Sequence, residues 1–126
     1  MKIHEKWLIK AENDLKSAKK LMEGKNYISD TAIYHCQQCA EKALKAFLLY
    51  NQKEIKKTHD LELLIELCIE IDNEFDELYD FAVTLAPYST LFRYPGEVIE
   101  PEKKDVYDAI NKAERIYNFV QGNIPN

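Results

Sequence analysis

The sequence predicts an all-α fold, an up-and-down antiparallel bundle of four long helices plus one short helix. Three observations carry this. Apolar residues recur at three- and four-residue steps in segment after segment, the spacing of one helix face. Residues that cap or stop helices fall between those segments. No stretch alternates apolar and polar residues as a half-buried strand does, and there is no internal repeat or low-complexity segment. At 126 residues the chain suits one domain, 1–126, built around a single core.

The first helix is expected from about Ile3 to Met22. Ile3, Trp7, Ala11, Leu15, Ala18 and Met22 form its apolar stripe, and Gly24 and Asn26 suit its C-terminal turn. Ser29 or Asp30 can cap a second helix ending near Tyr50. Its stripe is Ala32, Cys36, Cys39, Ala43, Ala46 and Tyr50, widened by Ala40, Leu44 and Phe47. That arc covers more than half of the helix, which makes it the central and most buried element. Gln38, Glu41 and Lys45 fall on its narrow polar face.

QKEIKK is a polar connector. Thr58 is the expected N-cap of a third helix, HDLELLIELCIEI, with Asp60 in the first turn, where a carboxylate suits the helix dipole. Asp72 and Asn73 end it, and a short fourth helix covers about Glu74 to Leu85. APYSTLFRYPGEVIEPE, rich in proline, is the one long irregular segment, a kind of loop that often carries function. Pro101 starts the last helix, whose buried side is Val106, Ala109, Ile110, Ala113, Ile116, Tyr117 and Val120.

Composition narrows the function classes. No apolar run approaches the roughly 20 residues that span a bilayer, and the charged N-terminus does not read as a secretory signal. A cytoplasmic protein without membrane contact is expected. Three cysteines, an odd number, fit free thiols better than a disulfide framework. A net charge of -5 argues against broad nucleic-acid adhesion, but it leaves room for a local anion site.

HCQQCAEKALKAF, residues 35–47, places a histidine and two cysteines close together. A structural zinc site needs four ligands, usually in paired Cys-x-x-Cys turns. Here Cys36 and Cys39 lie on the apolar stripe at core spacing, as does Cys68 on the third helix, so packing is expected and no metal. A Cys-His nucleophile is no better supported, because His35 and Cys36 diverge by about 100° on a helix. His35 itself stays open at the edge of the buried arc.

Several polar residues do not fit a plain bundle. Asp14 lies among Ala11, Leu15 and Ala18 on the first apolar face, where an unpaired carboxylate is costly. It reads as a salt-bridge member or a helix cap, or as the orienter of a cation, either Arg93 or a lysine of the second helix. Glu41, Lys42 and Lys45 read by default as solvated charges, and His59 as a first-turn helix residue. Arg93, between Phe92 and Tyr94 and near Pro95, suits aromatic stacking and phosphate contact, and equally an interface anchor.

WLIKAENDLKSAKKL, CQQCAEKALKAFL, THDLELL and FRYP, in this order, resemble the HEPN domain family (higher eukaryotes and prokaryotes nucleotide-binding) over essentially the whole chain. The motif residues are Gln37-Gln38, Glu41-Lys42, Lys45, Thr58-His59-Asp60-Leu61 and Arg93-Tyr94-Pro95. The resemblance implies a usually dimeric helical bundle, often encoded beside a small nucleotidyltransferase in a toxin-antitoxin or related pair. Several members are metal-independent ribonucleases, in which an Arg holds the scissile phosphate and a His, after four to six intervening residues, serves the acid-base step. This chain departs from that motif. The corresponding positions after Arg93 are Val98, Ile99 and Glu100, and no histidine follows Arg93 or Arg115.

The resemblance therefore implies a homodimeric, nucleotide- or RNA-associated partner of a nucleotidyltransferase, with no catalytic residue assigned and no cofactor. Arg93, Lys42, Lys45 and His59 are the nucleotide- or phosphate-binding candidates. Asp14 and Glu41 are the orienting candidates, and Phe92 and Tyr94 the interface candidates. The rivals are a ribonuclease with a rearranged active site, using Arg93 and a histidine from elsewhere, and a purely structural interaction module. Homodimerisation is also supported by aromatic content: one tryptophan, eight tyrosines and five phenylalanines. Tyr34, Tyr88 and Tyr94 have no evident core role, and exposed aromatics often belong to interfaces.

Overall fold

The structure is a computed structural model that describes residues 1–55, 57–96 and 99–125. Lys56 of the expected connector and Glu97 and Val98 of the proline-rich segment lie outside the described residues. Five α-helices follow in order: α1 (Ile3–Leu21), α2 (Ser29–Tyr50), α3 (Leu61–Ile71), α4 (Tyr79–Leu85) and α5 (Lys103–Gly122). Single 3₁₀ segments, Asn73–Leu78 and Ala86–Ser89, lead into and out of the short α4. No strand occurs among the described residues. The bundle of four long helices and one short helix is the expected all-α architecture.

α2 is the axis of the fold and packs against each of the other four helices. Its wide apolar arc explains this, since Ala32, Cys36, Cys39, Ala40, Ala43, Leu44 and Ala46 are all fully buried. The small residues let α1 and α5 approach closely. Larger groups close the bundle: Phe47 and Phe75 meet at 4.3 Å between centroids, and Phe75 and Phe119 at 4.8 Å. These rings tie α2, the first 3₁₀ segment and α5 together. Phe75 is fully buried, so its core contacts could not be lost without leaving a cavity.

The structure corrects several local expectations. α3 begins at Leu61, and its N-cap is Asp60, whose Oδ1 accepts from the Leu63 amide at 3.2 Å. Thr58 acts one step earlier, its hydroxyl oxygen accepting from the Asp60 amide at 3.1 Å. The Asp60 carboxylate reaches the orphan amide directly, so the cap falls two residues later than expected. His59 accordingly precedes the helix. Neither Ser29 nor Asp30 caps α2, which is preceded by Ile28; the Ser29 hydroxyl instead donates to Glu100 Oε2 at 3.0 Å. The last helix begins at Lys103 rather than at Pro101. Ile3, expected on the apolar stripe, is the first residue of α1 and is 54% exposed. The expected fourth helix over about Glu74 to Leu85 is split, its first half being 3₁₀.

The largest correction concerns the polar face of α2. Gln37, Glu41 and Lys45 are buried, with Gln37 fully so. Glu41 and Lys45 are therefore not the solvated charges expected, and Lys42, only partly exposed, is paired with Asp14. Burial is tolerable because Gln37, Glu41 and Lys45 satisfy one another and the segment before α3, as buried polar groups must.

Candidate functional site

The site is built on one strip of α2, from Tyr34 to Lys45, and is divided into two ion-paired clusters. The first faces α1. Asp14 projects from α1 onto α2 and is nearly buried. His35 Nδ1 donates to Asp14 Oδ1 at 2.8 Å, and Lys42 Nζ donates to Asp14 Oδ2 at 2.6 Å. His35 and Lys42 lie two helical turns apart and reach Asp14 from either side. Burial pushes the Asp14 carboxyl up, but the hydrogen bonds and charge attraction of His35 and Lys42 together outweigh it and hold the group below its ordinary value. Asp14 is thus a carboxylate acceptor, which makes His35 Nδ1 the donor and turns the Nε2 edge of the ring away.

The second cluster faces the segment before α3. Glu41 Oε2 accepts from Lys45 Nζ at 3.0 Å, and its Oε1 accepts from His59 Nδ1 at 2.9 Å and from Gln37 Nε2 at 3.2 Å. Gln37 Nε2 also donates to the His59 carbonyl at 3.3 Å, and Gln37 Oε1 accepts from Gln38 Nε2 at 2.7 Å. The Trp7 ring of α1 covers Lys45, its centroid 5.5 Å from Nζ. Glu41 and Lys45 are sealed in, whereas the His59 ring is mostly in solvent. This cluster clamps the connector onto α2.

Arg93 reaches the first cluster rather than the second. Phe92 adopts a left-handed backbone conformation, φ 71°, which is strained for a bulky residue. Its ring stacks on Tyr88 at 6.1 Å and packs against the core, and this anchoring holds the turn. The next residue, Arg93, is thereby folded back. Its Nη1 donates to the Ser89 carbonyl at 3.2 Å, and its guanidinium carbon sits 3.9 Å from the centroid of the Tyr34 ring. Tyr34 in turn meets the His35 ring edge-on at 5.9 Å. Asp30, Thr31, Tyr34, His35 and Arg93 line an open cleft of about 260 Å³.

The candidates named from sequence therefore separate. Asp14 and Lys42 join Arg93's side of α2 through His35. Lys45, Glu41 and His59 form their own cluster and do not line the Arg93 cleft. The lysine of the second helix, not Arg93, is the Asp14 partner. Phe92 sits half-buried behind Arg93, and Tyr94 is 70% exposed. Of the three positions counted from Arg93, Val98 lies outside the described residues. Ile99 is 57% exposed, and the Glu100 carboxylate holds Ser29.

Sequence reasoning did not place Tyr34 and His35 in the cleft. The available signals were an aromatic without a core role and a histidine two turns before a lysine, opposite an anomalous carboxylate. Chemically, the cleft offers a fixed guanidinium, an aromatic face and an imidazole whose tautomer is set by a buried carboxylate. That set suits a phosphate beside a planar base.

Cys36, Cys39 and Cys68 are fully buried and pack in the core. Their thiols donate weakly to the carbonyls of Ala32, Ala113 and Leu44. Burial pushes the Cys36 thiol up to about 12 and the other two further still. Among the described residues, no three His, Cys, Asp or Glu side chains gather as a metal would require. No helix among them is long and apolar enough to cross a membrane.

This fold and the residues on α2 define a class. The model of the HEPN domain matches residues 4–123, and the chain belongs to that family. The crystal structure of ST0689, an archaeal HEPN homologue, superposes with a TM-score of 0.77 at 32% identity, covering 99% of this chain and all of that one. The crystal structure of TT1696 from Thermus thermophilus shares the fold, with a TM-score of 0.75 at 24% identity over 97% of this chain and 98% of that one. A Methanocaldococcus jannaschii protein named "Putative toxin MJ1304" is 28% identical over 127 residues, 89% of this chain and 82% of its own length.

Proposed function

We propose that this chain is the HEPN component of a toxin-antitoxin-like pair and that the Arg93 cleft accepts a nucleotide or an RNA phosphate. In this reading the protein is a cytoplasmic homodimer of single-domain chains, partnered by a nucleotidyltransferase. One observation carries the ligand assignment. A guanidinium fixed on an aromatic ring shares a small open cleft with an imidazole anchored on a buried carboxylate. The name of the Methanocaldococcus relative supports the toxin-like role. Beside Arg93, Leu91, Tyr94 and Ile99 are 49%, 70% and 57% exposed, and they border an apolar cleft of about 560 Å³. Such a patch supports a second copy as its cover.

Isothermal titration of nucleoside monophosphates and of single-stranded RNA tests the ligand assignment. Binding by the wild type and its loss in Arg93→Ala is the expected result. Equal binding by both proteins would reject it.

The placement of His35 favours a second reading, a metal-independent ribonuclease with a rearranged active site. The His35 ring would take the proton of an RNA 2′-hydroxyl through Nε2. The 2′-oxygen would attack phosphorus, the 5′-oxygen would leave and be protonated by water, and Arg93 would offset the charge on the phosphoryl oxygens. Incubation with single-stranded RNA in EDTA tests it. Cleavage that disappears in both His35→Ala and Arg93→Ala supports this reading, and wild-type inactivity rejects it.

A further inference from the structure

We propose that the hollow at the N-terminus of α1, beside the C-terminal ends of α2 and α5, binds a free α-amino acid with an apolar side chain. The carboxylate meets His4, Lys2 and the unpaired amides of the first turn. The ammonium meets Glu5, and the side chain lies against Leu8 and Ile124.

His4 carries the proposal. Six polar side chains are buried among the described residues. Asp14, Ser29, Gln37, Glu41 and Lys45 all have hydrogen-bond partners. His4, only 8% exposed, meets the Tyr50 ring edge-on at 5.2 Å between centroids and makes no side-chain hydrogen bond among the described residues. A buried imidazole without a partner is costly. No fully sealed side-chain nitrogen or oxygen among those residues lacks a partner, so the His4 nitrogens open onto the hollow that this residue lines.

The backbone adds an independent feature. Lys2 is the N-cap residue of the 19-residue α1, and an ammonium cannot accept from the first-turn amides as a Ser or Asp side chain does. The Glu5 and Lys6 amides donate to the Lys2 carbonyl at 3.1 and 3.2 Å, which leaves the Ile3 and His4 amides as the unpaired donors of the turn. A cation at the positive end of a helix also has the wrong sign. A carboxylate bound there relieves both conditions.

A bare anion does not match the whole hollow, because Glu5 lines it as well. Glu5 Oε1 accepts only a long bond from the Lys2 amide, 3.4 Å, so the carboxylate keeps capacity for an ammonium. Leu8, Ile124 and Pro125 supply an apolar wall. A cation, an anion and an apolar wall together complement a zwitterion that carries an apolar group. The volume, about 430 Å³, falls within the usual range of about 300–1,000 Å³ for small-molecule pockets. The hollow shares no lining residue with the Arg93 cleft, and Tyr50 lies roughly 24 Å along α2 from Tyr34.

Titration calorimetry at neutral pH with L-leucine and L-phenylalanine tests the proposal. At least one should bind with a Kd below about 1 mM. For the amino acid that binds, the amide, which lacks the carboxylate, and the des-amino acid, which lacks the ammonium, should each bind roughly tenfold more weakly. His4→Phe keeps a ring against Tyr50 and should melt like the wild type, yet bind the amino acid roughly tenfold more weakly. Glu5→Gln, at an exposed position, should weaken the amino acid and leave the des-amino acid unaffected, and it decides the matter if His4→Phe does not fold. Arg93→Ala should bind the amino acid like the wild type, which separates this site from the Arg93 cleft. No binding of either amino acid overturns the proposal. Acetate or inorganic phosphate binding as tightly would reduce the hollow to a bare anion site and overturn it too. So would loss of amino-acid binding in Arg93→Ala.

Discussion

Asp14 and His35 are joined at 2.8 Å across the interface between α1 and α2, and the carboxylate is nearly buried while the ring reaches the cleft. This links the packing of α1 on α2 to the chemistry of the site. Removing the carboxylate leaves Lys42 and His35 without their acceptor. Asp14→Ala should therefore cost about 2 kcal/mol, below the usual loss for a broken buried pair, because Lys42 and His35 can still turn toward water. Urea denaturation measures it, and a midpoint equal to the wild type's would show that the pair contributes nothing.

The same group gives a pH dependence with a defined sign. Burial raises the Asp14 carboxyl more than any other single influence, but the hydrogen bonds and charge attraction of His35 and Lys42 together leave it below its ordinary 3.8. A carboxyl lowered on folding stabilises the fold above its unfolded value, and that contribution is lost as pH falls through the folded value. Wild-type stability should decline below about pH 4. Asp14→Asn should decline less steeply over that window. Parallel pH profiles would assign the acid sensitivity to other carboxylates.

Glu41 and Lys45 form the more deeply buried pair, with side chains 4% and 7% exposed. Glu41→Leu strands a buried ammonium under Trp7 and should cost about 3–5 kcal/mol. Glu41→Leu/Lys45→Met removes both charges together and should recover most of that loss. Thermal or urea denaturation of the two variants distinguishes a structural ion pair from one retained for ligand contact. If the double variant is as unstable as the single, His59 and Gln37 carry more of the clamp than Lys45 does.

Most of the fold was legible in sequence, because helical periodicity is a local property. The stripes of α1, α2 and α5 predict their own buried faces, and the excess width of the α2 stripe predicts its central place. The misfit of Asp14 was legible too, since a carboxylate among alanines and leucines demands a partner. The burial of Glu41 and Lys45 was not, because it depends on Trp7 and His59 arriving from α1 and from the connector. Nor was the Arg93–Tyr34 stack, which needs the left-handed turn at Phe92 to fold the loop back onto α2. Such long-range meetings leave no local periodicity to read.

The three thiols should be silent in the folded protein. Each is fully buried, and burial pushes Cys36 up to about 12, so almost no thiolate exists at neutral pH. A disulfide-exchange reagent should label none of the three under native conditions and all three in denaturant. Rapid native labelling at any position would show that the core around α2 opens readily, and would weaken the account of α2 as the most protected element.

Tyr34 is the residue that decides whether Arg93 is preorganised. The ring holds the guanidinium at 3.9 Å, while the Ser89 carbonyl fixes one of its nitrogens at 3.2 Å. An exposed cation–π contact is worth about 0.5–1 kcal/mol, so losing it changes the position of Arg93 more than the stability of the fold. Tyr34→Phe keeps the ring and should bind single-stranded RNA like the wild type. Tyr34→Ala frees the guanidinium to roam in water and removes the stacking face, a loss of about 1–3 kcal/mol per stacked base. Its RNA affinity should fall at least severalfold, with a Tm close to that of the wild type. If Tyr34→Phe falls equally, the hydroxyl is the contact and the ring is not a platform. If neither variant changes affinity, the strand does not pass over Tyr34, and Arg93 acts from a position other than the one in which it is held here.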